Sequence, residues 1–118
     1  MTQTLTELVD TYIAAWNETD PDKRLTLLAG VWADNGIYED ANIKTVGRKD
    51  LSDYIGAFQN QTHGARLSLC GTPLNHHDYA FFVWKMAMGP QGAADEITGY
   101  DFVTIDKQGL FARIVGFL

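Results

Sequence analysis

Tyr79-Ala80-Phe81-Phe82-Val83-Trp84-Lys85-Met86-Ala87-Met88 is the stretch that decides how this chain folds. In a strand successive side chains point to opposite faces, so Phe82, Trp84, Met86 and Met88 share one side and Phe81, Val83, Lys85 and Ala87 the other. Only the second side carries a charge. The Trp84 side is therefore expected to meet the rest of the protein, and its methionines suit an adaptable wall, whether of a packed core or of a ligand cavity.

Upstream, Leu67, Leu69 and Gly71 alternate with Arg66, Ser68 and Cys70, and the turn-forming Asn75-His76-His77-Asp78 joins this run to the first, making a long hairpin. Downstream, Gly89-Pro90-Gln91-Gly92 reads as a turn, Ala94 to Ile105 as a strand, Lys107-Gln108-Gly109 as a second turn and Leu110 to Phe117 as the last strand. Gly71, Gly99 and Gly116 lie inside these strands, where glycine marks either a bulge or a place that needs room.

Before Gly64 the period is helical. Leu5, Leu8, Val9, Tyr12, Ile13 and Trp16 recur at helix spacing behind a Thr4 to Glu7 capping box, and this helix ends near Asn17. Asp20-Pro21 starts a second helix through Leu25, Leu28 and Trp32, which Gly30 weakens and Asn35-Gly36 ends. Ile37 to Glu39 forms a short strand leading to Asp40, and Gly47 opens a third helix with the inner face Leu51, Tyr54, Ile55 and Phe58. Helices followed by strands predict an α+β fold, with three N-terminal helices on one face of a curved antiparallel sheet and a cavity between the layers.

The 118 residues suit one domain, residues 1–118, with an ordinary hydrophobic core. No run of about 18 apolar residues crosses a bilayer. Met1 to Asp10 has neither a basic leader nor a long apolar stretch, and Cys70 has no partner cysteine; both point to the cytoplasm. Fifteen acidic against nine basic side chains give a formal charge of -6, which repels phosphate backbones and argues against nucleic acid. Metal-binding spacings and glycine-rich nucleotide loops do not occur, so neither a metal nor a cofactor is expected.

Three polar residues interrupt apolar surroundings: Tyr12, Asp40 and Asp101. Strand parity places Asp101 with Ile97, Gly99 and Val103, where a carboxyl is held protonated as a donor, stays ionised as a base, or bonds a helix end or a tyrosine. Tyr12 in a helix stripe packs its ring and seeks a partner for its hydroxyl. Asp40 is a turn or cap residue unless it faces a cavity. His76 and His77 are expected in solvent, and His63 either ends the third helix or sits at a cavity rim.

Tyr12-Ile13 with Trp16-Asn17, Trp32-Ala33-Asp34 through Tyr38-Glu39-Asp40, Gly47-Arg48, Tyr100-Asp101, Asp106-Lys107-Gln108-Gly109 and Gly116-Phe117 carry a resemblance over nearly the whole chain. Through them it resembles the nuclear-transport-factor-2-like superfamily, in its SnoaL-like and ketosteroid-isomerase-like branch. That resemblance implies a cone of curved sheet around three helices, a pocket at the open end, and a homodimer. It also implies roles taken from the ketosteroid isomerase mechanism, a worked case of carboxyl groups tuned apart by their surroundings. Asp40 matches the proton-transferring base, Tyr12 the oxyanion tyrosine and Asp101 the neutral donating acid. Where the isomerase has proline after its base this chain has Ala41, and Trp32 and Ile55 stand where further tyrosines support the oxyanion tyrosine.

The expected function is binding of a hydrophobic small molecule, with acid-base chemistry beside a carbonyl, of isomerase or cyclase type, at Asp40, Tyr12 and Asp101. The alternative is a non-catalytic ligand-binding or dimerisation module. Trp84, Trp16, Phe82, Met86, Phe58 and His63 are the expected ligand contacts. Phe81 and Val83 on the outer sheet face, beside Arg66, Ser68, Cys70 and Lys85, predict a homodimer through that face.

Overall fold

Thr4 Oγ1 accepts from the Glu7 amide at 3.1 Å, and Glu7 Oε1 accepts from the Thr4 amide at 2.8 Å, so the expected capping box closes on both sides. From it runs α1 (Leu5–Asn17), with Leu8, Val9, Tyr12, Ile13, Ala15 and Trp16 buried. The structure, a computed structural model, describes residues 3–62, 64–88 and 96–118. Asp20 caps α2 (Pro21–Ala29) by accepting from the Asp22 and Lys23 amides, and proline takes the first turn, where its missing N–H costs nothing.

The helical spacing of Leu25, Leu28 and Trp32 predicts that α2 continues through Trp32, and there the structure differs. Gly30 caps α2, and β1 (Trp32–Glu39) starts two residues later, longer than the expected Ile37 to Glu39. Trp32 pairs with Phe111 of β6 (Phe111–Phe117), and both are fully buried. A four-residue spacing returns a side chain to the same side of either a helix or a strand, so Leu28 and Trp32 fit both periods. A three-residue strand, β2 (Lys44–Val46), pairs with β1 as a further, unexpected hairpin.

The meander is formed by β3 (Arg66–His76), β4 (Tyr79–Ala87), β5 (Glu96–Ile105) and β6. Its first turn is narrower than expected: His76 already pairs with Tyr79, leaving only His77 and Asp78 in the bend, with His77 at φ 52°. The turn expected at Gly89 to Gly92 and the start of a strand at Ala94 lie outside the described residues. The sheet has six strands in the order β2-β1-β6-β5-β4-β3, antiparallel except where β1 runs parallel to β6, and it curves without closing. Gly71 adopts φ +76° where the β3–β4 register slips between Cys70 and Leu74; this is the bulge. Gly99 and Gly116 instead provide room.

Three helices cover the concave face, the third being α3 (Arg48–Gln61), which Gly47 opens as expected. Leu51, Ser52 and Ile55 of α3 are buried, with Tyr54 and Phe58 half-buried at its end of the core. Arg24 ties this layer together from within, donating to the carbonyls of Glu18 and Ser52 and to Gln59 Oε1 at 2.8 to 3.0 Å. Asn17 joins the layer to the sheet through both the N–H and the C=O of Leu67, each at 2.9 Å. Among the described residues no helix is long and apolar enough to cross a membrane.

Candidate functional site

The side-chain parity of β4 and β5 aims Phe82, Trp84, Met86 and Asp101 toward the helices, and the stripe of α1 aims Tyr12 and Trp16 toward the sheet. Between them is a cavity of about 280 Å³, to which β1 adds Tyr38 and α3 adds Tyr54 and Phe58. That volume lies just below the ~300–1,000 Å³ usual for small-molecule sites.

Asp40 follows β1 and works in two directions. Its Oδ1 accepts from the amides of Asn42 at 2.8 Å and Ile43 at 3.1 Å, closing the turn that leads to β2. Its Oδ2 faces the cavity and accepts from Tyr38 Oη at 2.8 Å and Tyr54 Oη at 3.0 Å. A carboxylate has about four lone-pair sites, so these four donors fill it. Burial, then neighbouring Tyr12, then Asp40 push the Tyr38 phenol far above its ordinary range. Tyr54 is pushed up to about 12, by burial first and next by its bond to Asp40. Both tyrosines stay protonated and donate.

Tyr12 is 2% exposed, with its ring stacked on Trp32 at 5.8 Å and edge-on to Phe82 and Phe111. Neither its hydroxyl nor Trp16 Nε1 has a well-formed hydrogen-bond partner among the described residues, although the Trp16 indole lies close enough to the phenol to oppose the rise that burial causes. A buried donor without an acceptor costs about 1–3 kcal/mol, so each would gain from an acceptor brought into the cavity. Burial, and then the nearby Asp101, hold the Tyr12 phenol well above its ordinary value. It is a neutral donor.

Asp101 is 4% exposed. Burial pushes its carboxyl up to about 7; the Trp84 indole opposes the rise, and the negative charge of Asp40 adds to it. Two glycines make space for this arrangement. A Cβ at Gly116 would lie 3.1 Å from Asp101 Oδ1 and 3.6 Å from Tyr38 Oη. A Cβ at Gly99 would fall 1.9 Å from Trp84 Cζ2, so the indole lies across the neighbouring strand only because that position has no side chain.

The structure thus brings Tyr12, Asp40 and Asp101 to one cavity, with Trp84, Trp16, Phe82, Met86 and Phe58 in its wall; His63 lies outside the described residues. Tyr38 and Tyr54 join them as polar residues of the cavity that the sequence reading does not single out. Tyr38 shares the strand face of Asp40 by the period of two, a signal present in the sequence, while Tyr54 reads as ordinary helix packing until α3 is docked. His76 and His77 are exposed. Among the described residues no group of three or more His, Cys, Asp or Glu side chains is placed to hold a metal ion.

The SnoaL-like domain family matches residues 9–114. A solved candidate isomerase of the SnoaL-like family from Agrobacterium tumefaciens is 32% identical, with a TM-score of 0.86 over 96% of this chain and 95% of that one. A protein from Catenulispora acidiphila with a ketosteroid-isomerase-like fold, solved with trimethylamine, is 16% identical, with a TM-score of 0.76 over 98% of this chain and 87% of that one. A candidate polyketide cyclase from Sinorhizobium meliloti is 16% identical, with a TM-score of 0.72 over 94% of each chain. No curated protein matches.

Proposed function

The chain belongs to the SnoaL-like domain family, and from that premise we propose that it binds a small carbonyl compound in this cavity and moves a proton on the carbon beside the carbonyl. One observation carries the reading: the Tyr12 hydroxyl is buried, without an acceptor among the described residues, in a cavity it shares with Asp101. Such a hydroxyl is a ready donor to a ligand oxygen. With its value near 7, Asp101 keeps a large protonated fraction at neutral pH and supplies a second donor. As an adjacent C–H bond breaks, negative charge collects on the carbonyl oxygen, and two buried donors stabilise that charge more than they stabilise the ketone.

Asp40 is the proton acceptor in this mechanism. The C–H pair flows into the enolate while the proton goes to Asp40 Oδ2, and the same carboxyl returns it at another carbon. Because Oδ2 already accepts from Tyr38 and Tyr54, one of those bonds has to open as the proton arrives. The remaining tyrosine and the two turn amides keep the carboxylate in place.

A second reading rests on that same saturation. An aspartate whose four sites are all occupied by the protein's own donors can be a structural centre, and the fold is then a ligand-binding module without turnover. Hydrogen exchange separates the two. Wild-type protein is incubated in deuterium oxide with small α,β- and β,γ-unsaturated ketones, and deuterium uptake beside the carbonyl is followed by NMR. Uptake above the buffer rate supports proton transfer; binding without uptake supports the module.

The assembly proposed with this function is a homodimer through the outer sheet face. There Phe81 stacks on Tyr100 and Tyr79 on Phe102, with ring centroids 6.3 and 5.7 Å apart. All four are exposed, a row of aromatics that a second copy would cover.

A further inference from the structure

The Asp40 end of the cavity is walled by rings. Trp16 meets Tyr54 and Phe58 edge to face, with centroids 6.1 and 5.5 Å away and interplanar angles of 87° and 79°. Tyr38 lies 5.5 Å from Trp16 and 5.8 Å from Tyr54. All four rings line the cavity together with Asp40, and an aromatic face that a ligand reaches attracts a cation through its quadrupole. Two of these rings are further enriched. Tyr38 and Tyr54 each donate a hydrogen bond to Asp40 and keep their protons, which enriches the phenol rings and leaves lone pairs on their oxygens to accept from a ligand.

The charge balance points the same way. Among the described residues, the Asp40 side chain is bonded only by neutral groups, and no Lys or Arg forms an ion pair with it. Asp101 is a second acid in the same wall, while the described lining residues include no Lys, Arg or His. The chain as a whole carries a formal charge of -6, which raises the local concentration of cations and repels anions.

We propose that the cavity binds a small organic cation, an amine or quaternary ammonium group, against Trp16, Tyr38, Tyr54 and Phe58, with Asp40 as its counter-ion. The Tyr12 hydroxyl, which has no acceptor among the described residues, calls for one on the same ligand, so an amino alcohol or amino ketone fits better than a bare ammonium ion. This inference rests on the ligand-binding part of the proposed function and not on proton transfer.

Calorimetry with three probes of similar shape tests it: choline; the uncharged alcohol in which a tert-butyl group replaces trimethylammonium; and the anion pivalate. Choline is expected to bind about tenfold tighter than its uncharged isostere, the size of a desolvated cation–π contact added to a counter-ion. Pivalate should bind more weakly than either. Asp40→Asn should erase the preference for choline. Because Asp40 also holds a turn, Phe58→Leu serves as the second variant: it keeps apolar volume, removes one ring, and should weaken choline severalfold more than it weakens the isostere. Equal affinity for choline and the isostere, tighter binding of pivalate, or no binding of choline would each overturn the proposal. Ketone exchange without a choline preference removes this inference and leaves proton transfer standing; a choline preference without exchange does the reverse.

Discussion

Tyr54, on α3, donates its hydroxyl to Asp40 across 3.0 Å, so the helix layer and the end of β1 meet at a single carboxylate. Tyr38 reaches the same oxygen from the sheet at 2.8 Å. The fold and the candidate site therefore share these bonds, and loosening them should be felt in both.

Tyr38→Phe and Tyr54→Phe should each lower stability, by about 1.5–3 kcal/mol where a hydrogen bond to a charged group is lost, with the buried Tyr38 at the upper end and the more exposed Tyr54 at the lower. Urea unfolding measures it. Burial, the largest cause of the raised Tyr54 value, stays in Asp40→Asn, but the bond and charge of Asp40 are gone, so the phenol should move part of the way down from about 12. Ultraviolet titration of Asp40→Asn against wild type reads that shift.

Asp101 links stability to pH. Its folded value near 7 lies above its ordinary 3.8, so the native state holds this proton more tightly than the unfolded chain does. The contribution is fully present below about pH 4, is lost as pH rises through about 7, and amounts to at most about 4 kcal/mol. Asp101→Asn should flatten this fall, leaving the variant more stable than wild type at about pH 8 relative to their difference at about pH 4. Urea midpoints at the two pH values check it; an unchanged slope in the variant would show that other groups cause the dependence.

Gly99→Ala tests the packing that places Trp84. The added Cβ would fall within 1.9 Å of a rigid indole carbon, so the ring or the strand has to move, at a cost of about 1–3 kcal/mol. Gly71→Ala meets no atom within 4 Å and should suffer only through its backbone at φ +76°. Near-ultraviolet circular dichroism should therefore change for Gly99→Ala and stay close to wild type for Gly71→Ala.

These residues also show where the sequence is legible. The inward face of Asp101 follows from the period of two along β5, and the place of Tyr12 from the helical stripe of α1; both are local patterns anchored by apolar neighbours. Trp32 is not legible, since a spacing of four fits helix and strand alike. The parallel pairing of β1 with β6 joins Trp32 to Phe111, a contact that no local period encodes. Arg24 is buried because the backbone carbonyls of Glu18 and Ser52 and the side chain of Gln59 surround it, contacts from three segments that no local period encodes. Tyr54 meets Asp40 only once α3 has docked, so the polar centre of the cavity is a product of tertiary structure.

If the outer sheet face forms a homodimer, Phe81→Glu should convert it to monomer, because like charges would then stand opposite each other across a two-fold axis. An interface of the usual size, about 1,600 Å² in total, would hold at micromolar concentration. Sedimentation velocity decides the matter. Wild-type protein that sediments as a monomer at that concentration removes the homodimer proposal.

The three polar residues of the cavity should fail in different ways. Asp40→Asn keeps the shape of the side chain but cannot take a proton, so deuterium uptake beside a ketone carbonyl should fall to the buffer rate. Tyr12→Phe and Asp101→Asn each remove or weaken one donor to the developing oxyanion while leaving the base in place. They should slow uptake by about 10²–10³-fold, the usual loss for one such donor. Because these donors act more strongly on the transition state than on the ketone, the loss should appear in kcat more than in KM. Full exchange in Asp40→Asn would take the base role from Asp40, and a loss confined to KM in Tyr12→Phe would make Tyr12 a binding contact only.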